Sequence, residues 1–298
     1  MKNFKYFILF LSLITIFEIT NSEDANAVTA CATNSDGEIV YETTPTSGCI
    51  AVGKATNYEI TVKEIHLCRT APIGPTTSTA TDLSNCENIL TNSASTPSSF
   101  AAGEDVNIPG TFKRPSNGTY THAYIRFDNV IGITAAMKFD TSIDGGGGGT
   151  GKFCRTIVSS GTHQSGSSHN LSVCASSETT PGKLTETLKQ FGDADGTYRG
   201  CVKDGTVAAA SSGSCGTLGS TNGFLVDTDL KLATTSSGVD DFHGILAFGS
   251  PQKVTPNTTS FVVRFDVTNG AVTAKTGPGD GTSAYIGLGP FDMSIAIQ

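Results

Sequence analysis

Residues 57–69 read N-Y-E-I-T-V-K-E-I-H-L-C-R, and the apolar pattern of this stretch decides the fold class. Tyr58, Ile60 and Val62 alternate with polar residues, which is the period of two expected of a strand with one buried and one solvent-facing side. Thr61 belongs to the polar set and is expected on the solvent side. The pattern therefore predicts a half-buried β-strand.

The alternation slips by one position at Lys63-Glu64. Ile65 and Leu67 carry the apolar face onward, although strict alternation would place apolar residues at positions 64 and 66. One extra residue at this point, a β-bulge, would return both halves of the strand to the same core. We therefore expect Val62 and Ile65 both to face the interior.

A second strand is predicted over residues 119–127, after the turn signal Asn117-Gly118. Its apolar face carries Ala123, Ile125 and Phe127. Its other face is aromatic and polar, of the kind found on a partly covered sheet, and carries Tyr120, His122, Tyr124 and Arg126.

Three further strands are predicted at residues 39–41, 260–267 and 291–297. The first is a short edge strand. In the second, residues 264–266 repeat the Arg-Phe-Asp of residues 126–128. This repeat fits either a duplicated domain or two strands of one sandwich.

The N-terminus has the pattern of a secretory signal peptide over residues 1–27. Lys2 and Lys5 precede an apolar run over residues 6–17, and Ala25-Asn26-Ala27 supplies the small residues of a cleavage site. The run is well short of the roughly 20 residues that span a bilayer. We expect a secreted mature chain that begins at Val28 and has no transmembrane segment.

All eight cysteines follow this signal, and an even number in an oxidising compartment predicts disulfides. The spacings suggest four local pairs, each closing a loop that contributes about 3 kcal/mol in the chain-entropy model. The pairs are Cys31–Cys49, Cys68–Cys86, Cys154–Cys174 and Cys201–Cys215.

The charge of the chain argues against some partners. The net charge is -8, and loss of two positive and three negative charges with the signal leaves -7. Nucleic acid or an anionic membrane surface would need clustered Lys and Arg. We expect neither as a partner.

The mature chain divides into three segments by composition. Residues 28–143 form the first part of a β-sandwich, residues 144–237 a Gly/Ser/Cys-rich insertion or second small domain, and residues 238–298 the strands that complete the sandwich. Within the insertion, Pro181, the spacing of Leu184, Leu188 and Phe191, and Gly192 predict one short helix. A strand predicted over residues 224–232 leads the chain out of the insertion. The predicted fold is an all-β, disulfide-stapled antiparallel β-sandwich.

Several of these features resemble one family. The alternating strand that ends in Leu67-Cys68, a Gly-Glu-Asp turn at Gly103, and the opening Gly-Thr-Tyr-Thr of residues 118–121 are similar to transthyretin-like (prealbumin-like) β-sandwich domains of uncharacterised bacterial secreted proteins. The resemblance covers residues 57–130, with residues 261–297 as a further match. It implies a sandwich and an extracellular or cell-surface setting, and it assigns no activity or functional residue.

Residues 146–152 fit the spacing of a phosphate-binding loop, but Phe153 stands where the loop needs Ser or Thr. We expect a flexible glycine linker. Asp240-Asp241 and His243 form a small acidic cluster, and we expect a solvated loop there, before a strand at Ile245.

Two stretches are weighed as metal sites. His163 and His169 lie between two cysteines that are expected to pair with each other, so zinc is disfavoured. Asp193 and Asp195 resemble the start of a calcium loop, but the later ligands are missing. We expect a helix C-terminal turn and no cofactor, with Ca²⁺ as the open alternative.

The sequence favours a non-enzymatic extracellular structural or surface protein, such as a filament or surface-layer subunit or an adhesive module, with copies of itself or other surface proteins as partners. The alternative is a carbohydrate- or small-ligand-binding module, with or without Ca²⁺, that uses either the face of Tyr120, His122 and Tyr124 or the acidic loops, although the chain contains no Trp for sugar stacking. A secreted hydrolase is disfavoured, because no nucleophile elbow G-x-S-x-G occurs.

Overall fold

A computed structural model describes residues 29–40, 49–101, 107–163, 172–191, 198–203, 206–209, 221–268, 270–275, 283–289 and 291–298. The predicted signal peptide lies outside these ranges. The described chain is almost wholly β, with a 3₁₀ turn at Ser236–Gly238. The strands are β1 Thr29–Ala30, β2 Cys49–Gly53, β3 Ala55–Cys68, β4 Cys86–Thr91, β5 Ser98–Phe100, β6 Thr111–Phe112, β7 Gly118–Gly145, β8 Thr150–Thr156, β9 Ser159–His163, β10 Ser172–Ala175, β11 Leu184–Leu188, β12 Arg199–Lys203, β13 Thr206–Ala209, β14 Thr221–Val226, β15 Asp241–Val254, β16 Phe261–Asp266, β17 Ala271–Lys275, β18 Ser283–Leu288 and β19 Asp292–Ile297.

Strand β7 is 28 residues long and is shared by two sheets. Its first part pairs antiparallel with β3 on one side and with β15 on the other. Its last part pairs with β8 and, in parallel, with β18. The consecutive strands β2 and β3 also connect the two sheets, because β2 pairs with β17 in one sheet and β3 pairs with the first part of β7 in the other. The two sheets are therefore tied together by their own longest strands.

The first sheet contains the run β6-β4-β3-β7-β15-β14-β12-β13. The second contains β1-β2-β17-β18-β7-β8-β10. Most pairings are antiparallel, and β16 pairs with β19 as a separate ribbon. This arrangement confirms the predicted disulfide-stapled, antiparallel, sandwich-like class.

Aromatic side chains fill the interior. Phe127 of β7 stacks on Phe242 of β15 with ring centroids 5.1 Å apart, and Phe291 lies 5.9 Å from Phe127 and 5.7 Å from Phe265. Ala123 and Ile125, on the same face of β7 as Phe127, are also buried. The apolar alternation of the sequence therefore predicted this core face correctly.

The bulge predicted in β3 is confirmed. Val62 lies opposite Phe127 and Glu64 opposite Arg126, so β3 advances two residues where β7 advances one. Val62 and Ile65 are both buried as a result.

The expectation that Thr61 faces solvent is wrong, because Thr61 is buried. It lies in a second irregularity, where β3 advances from Ile60 to Val62 while β7 advances from Ile131 to Phe127. Simple alternation does not decide which side is exposed at such a point.

The predicted helix is wrong. Leu184–Leu188 is the strand β11, which pairs antiparallel with β7 and in parallel with β9. Leu184, Glu186 and Leu188 are all buried, which is a period of two. The spacing of four between the leucines fits either period, and the buried Glu186 concealed the strand pattern.

Two of the predicted disulfides are confirmed, Cys68–Cys86 and Cys154–Cys174. In each, the two cysteines lie directly opposite each other on neighbouring strands. The pairs Cys31–Cys49 and Cys201–Cys215 each include a side chain outside the described residues.

The glycine-rich stretch is a tight turn between β7 and β8, and the expected flexible linker is not what the structure contains. Gly148 N donates to Gly145 O at 2.8 Å, and Gly145 N donates to Gly149 O at 2.9 Å. Gly148 and Gly149 have φ values of 114° and 73°. L-amino acids with side chains rarely adopt such values, which explains the glycines.

Strands from residues 144–237 pair directly with the rest of the sheets, through β8 and β11 on β7 and through β14 on β15. The three-segment division stays a prediction. The strand expected over residues 224–232 is shorter, since β14 ends at Val226 and a turn follows in which Leu230 N donates to Asp227 O. At the N-terminal edge, Ile39 makes isolated bridges to Thr33 and Phe139. The described part of the chain contains no helix with the length and apolar character of a membrane span.

Candidate functional site

A cluster of charged side chains lies on the outer face of the first sheet, opposite the face that carries Phe127. Strand pairing brings it together: Glu64 of β3 is opposite Arg126 of β7, and Asp128 of β7 is opposite Asp241 of β15. Directly paired residues present their side chains on the same face of a sheet. We call this group, completed by Lys63 from the bulge, the charge cluster. Its members are Lys63, Glu64, Arg126, Asp128 and Asp241.

Asp241 is the centre of the charge cluster, and its side chain is 0% exposed. Lys63 Nζ contacts Oδ1 of this carboxylate, and Arg126 Nε donates to Oδ2 at 2.6 Å. A buried carboxylate is strongly disfavoured unless it is paired and hydrogen-bonded. The two cations supply those partners from neighbouring strands.

The outer members of the cluster are paired as well. Arg126 Nη1 lies 3.2 Å from Glu64 Oε1, and Glu64 Oε2 lies 3.0 Å from His66 Nε2. Lys63 Nζ lies 3.6 Å from Asp128 Oδ2. Each charged group therefore has a partner of opposite charge within the cluster.

These contacts shift the acidity of two members. The hydrogen bond with His66 lowers the pKa of Glu64, and Arg126 adds to this effect against the cost of burial. Burial works against the charged form of Arg126, but its hydrogen bond to Asp241 raises the pKa above the ordinary value. The cluster thus keeps both groups ionised.

His243 lies beside the cluster on the same face of β15 and is buried. Its Nδ1 is 3.0 Å from the hydroxyl of Tyr124, and the two rings meet edge to face at 5.2 Å. Burial lowers the pKa of His243 to about 4 and raises the pKa of Tyr124. Both side chains are therefore neutral near pH 7.

The expectation of a solvated loop at residues 240–243 is wrong for two of its three polar residues. Asp240 is exposed, but Asp241 and His243 are fully buried. Strand β15 already begins at Asp241, and alternation then places residues 241, 243 and 245 on the outer face. That face also carries a second buried apolar cluster, whose members include Tyr124, Phe224, Val226 and Ile245.

A smaller polar group surrounds Tyr120. Its hydroxyl donates to Glu87 Oε1 at 2.9 Å, and the guanidinium of Arg69 lies 5.0 Å from the ring centroid. Burial works against ionisation of Glu87, but hydrogen bonds from Ser116, Arg69 and Tyr120 hold its pKa at about 2. Burial and the bond to Glu87 raise the pKa of Tyr120 to about 12.

The residues predicted to bind a ligand do not form an open surface. Tyr120 and Tyr124 are buried, at 0% and 2% exposure, so their rings are covered by the protein itself. His122 is partly exposed, with its Nδ1 at 2.8 Å from the hydroxyl of Thr121, and burial lowers its pKa.

The structure does not describe the side chains that were weighed as metal ligands. Asp193, Asp195 and His169, together with the side chain of His163, lie outside the described residues. Within the described ranges, no group of three or more His, Cys, Asp or Glu side chains is placed to hold a metal ion.

Glu186 is a buried acid that the sequence interpretation missed. Its Oε2 accepts a hydrogen bond from Leu288 N at 2.9 Å, which links β11 of the first sheet to β18 of the second. Burial raises the pKa of Glu186 to about 7. The alternation of Leu184, Glu186 and Leu188 was the available signal.

Comparison with known proteins adds no relative to this picture. A scan against protein-family models, a search of curated proteins and a search of solved structures find no match to this chain.

Proposed function

We propose that the chain is a non-enzymatic, extracellular structural or surface module that acts through its folded body. Its partners on this proposal are copies of itself or other surface proteins. The sequence motivates the setting, through the predicted signal peptide and the even number of cysteines.

The observation that carries the proposal is that the charged groups of the charge cluster are paired with one another. Both oxygens of Asp241 are engaged by Lys63 and Arg126, and Glu64 is engaged by Arg126 and His66. A site for a ligand needs polar groups whose bonding capacity is aimed at the ligand. Here those groups bind one another across three strands, which is what a structural brace requires.

The two disulfides support an oxidising destination. Cys68–Cys86 and Cys154–Cys174 each fasten neighbouring strands, and such bonds persist outside the cytosol. Together with the charge cluster, they fasten neighbouring strands of the two sheets.

Assembly is the property to measure. The chain of residues 28–298, produced in an oxidising compartment, would be studied by size-exclusion chromatography with light scattering over a wide concentration range, and by negative-stain electron microscopy. We expect defined oligomers, filaments or sheets. A chain that stays monomeric at every concentration, and that surface fractionation of its source cells does not find outside the cell, contradicts the proposal.

The ligand-binding alternative has its own test. A glycan array and calorimetry with Ca²⁺ would be run on the same protein and on His122→Ala, because His122 is the partly exposed member of the predicted trio. Binding that is lost in this variant would replace the structural proposal.

A further inference from the structure

Lys63 and Asp241 come together across an intervening strand. Lys63 lies on β3 and Asp241 on β15, with β7 between them, and 178 residues separate the two along the chain. Alternate strands of a sheet are about 10 Å apart. The side chain of Lys63, which leaves β3 at the bulge, spans that gap and brings its amine against Oδ1 of the carboxylate.

Two other cluster members complete an arrangement suited to amide formation. The carboxylate of Asp128 lies 3.6 Å from Lys63 Nζ, close enough to exchange protons with the amine after a small side-chain movement. Arg126 Nε donates to Oδ2 of Asp241 at 2.6 Å, so positive charge is held at the oxygen on which negative charge develops during attack at Cγ. Amine, acceptor, proton carrier and oxyanion partner are thus all present.

We propose that Lys63 and Asp241 become joined by an intramolecular isopeptide bond. Such a modification does not depend on the proposed structural role, although it would strengthen a chain that has that role. It converts the charge cluster from an ionic contact into a covalent link between β3 and β15.

The reaction is a condensation. The ammonium of Lys63 first gives one proton to Oδ1 of Asp241, which leaves a neutral amine beside a carboxylic acid. The amine lone pair then attacks Cγ and forms a C–N bond. Asp128 takes a second proton from Nζ and delivers it to Oδ1, and the C–O bond to Oδ1 breaks, so that this oxygen leaves as water. Starting from the ammonium and carboxylate of the ion pair, the products are one amide and one water, so neither an oxidant nor a cofactor is consumed.

The site favours this reaction in two ways. Folding holds the two reacting groups in contact, and well-oriented groups of this kind reach effective concentrations on the order of 10⁵ M or more. The carboxylate of Asp241 is 0% exposed, and burying a neutral amide costs less than burying the two charges it replaces. Arg126 keeps Glu64 as an ionic partner after Asp241 has reacted.

Mass spectrometry tests the bond directly. The mature protein would be reduced, alkylated and denatured, and its intact mass compared with the mass calculated from its sequence. We expect a deficit of one water molecule. Trypsin should then yield residues 55–69, uncleaved after Lys63, joined to residues 232–253, which contain Asp241.

Variants locate the chemistry. Lys63→Met and Asp241→Ala should restore the full mass, and Asp128→Asn, checked for folding by circular dichroism, should lower the joined fraction at least several-fold. Lys183→Met removes an exposed lysine that pairs with Glu59, and it should leave the joined fraction unchanged.

Measurements on the wild-type protein are enough to overturn the proposal. A full intact mass with separate peptides 55–63 and 232–253, or a water deficit that maps to another part of the chain, rules out the bond. An Asp128→Asn variant that joins as completely as the wild type overturns the proton-transfer role of Asp128.

Discussion

Replacing the buried acid Glu186 by glutamine should stabilise the protein at alkaline pH. Glu186 is fully buried, and its Oε2 accepts a hydrogen bond from Leu288 N. Glutamine has nearly the same shape, and its carbonyl oxygen can accept that bond. The substitution therefore removes the ionisation of this side chain while it keeps the contact between β11 and β18.

The magnitude follows from the raised pKa of Glu186, which is about 7 in the folded chain against an ordinary value of 4.5. Between these two values the unfolded chain has lost a proton that the folded chain keeps. Stability therefore falls as pH rises from 4.5 through 7, and it stays lowered above that. One pKa unit corresponds to about 1.4 kcal/mol, so the full loss is about 3 kcal/mol.

Urea denaturation with the disulfides intact measures this loss. The free energy of unfolding would be obtained at pH 5 and pH 8 for the wild type, for Glu186→Gln and for Glu178→Gln, which replaces an exposed acid. We expect the stabilisation by Glu186→Gln to be larger at pH 8 than at pH 5 by about 2 kcal/mol. The Glu178 control should show no such difference.

Two results would refute this reasoning. If Glu186→Gln changes stability equally at both pH values, the acid does not titrate in the predicted range. If the variant is less stable than the wild type at pH 8, the carboxylate is ionised and stabilised in the folded chain, and burial does not dominate its acidity.

Three other predictions concern stability. His243 has a pKa lowered to about 4 from 6.5, so it should destabilise the fold as pH falls from 6.5 to 4. In the Glu186→Gln background, urea melts should show that the free energy of unfolding changes less with pH over this range in His243→Asn than in the chain that keeps His243. Replacing both cysteines of the disulfide between β3 and β4 by serine should lower the free energy of unfolding by about 3 kcal/mol, and a non-reducing urea melt with no loss would contradict this. Val62→Ala and Ile65→Ala should each cost about 1 to 4 kcal/mol in thermal melts, whereas Ser294→Ala on an exposed side of β19 should cost little; a negligible effect at Ile65 would count against the bulge.

The sequence was sufficient for the fold class because its strongest signals are local. Tyr58, Ile60 and Val62 have a period that belongs to strands, and the slip after Val62 predicted a bulge that the pairing of β3 with β7 contains. The spacing of Cys68 and Cys86 likewise predicted a disulfide between neighbouring strands. Each inference needed only residues close together in the chain.

The helix error came from a position where two periods coincide. Leu184 and Leu188 are four residues apart, which fits one face of a helix as well as one face of a strand. The residue that distinguishes the two is Glu186, and a charged side chain is rarely buried. Its burial depends on the contact with Leu288, 102 residues further along the chain, which no local pattern reports.

The charge cluster could not be predicted for the same reason. Arg126 and Asp241 are 115 residues apart, and their pairing depends on β15 lying next to β7 in one particular register. The sequence interpretation noticed Asp241 and His243 as an acidic cluster but assigned them to solvent. The sequence did not show that this face of the sheet, around Tyr124 and Ile245, is buried.

The unfolding free energy of Asp241→Ala tests the central claim that the charge cluster is a structural brace. This substitution removes the link from β15 to Lys63 and Arg126, whether that link is ionic or the proposed amide, and removing one member of a buried ion pair alone costs about 3 to 5 kcal/mol. We predict a loss of at least that size in urea denaturation at pH 7. A variant as stable as the wild type, or more stable, would contradict the account, because that behaviour marks a site retained for function at the expense of stability.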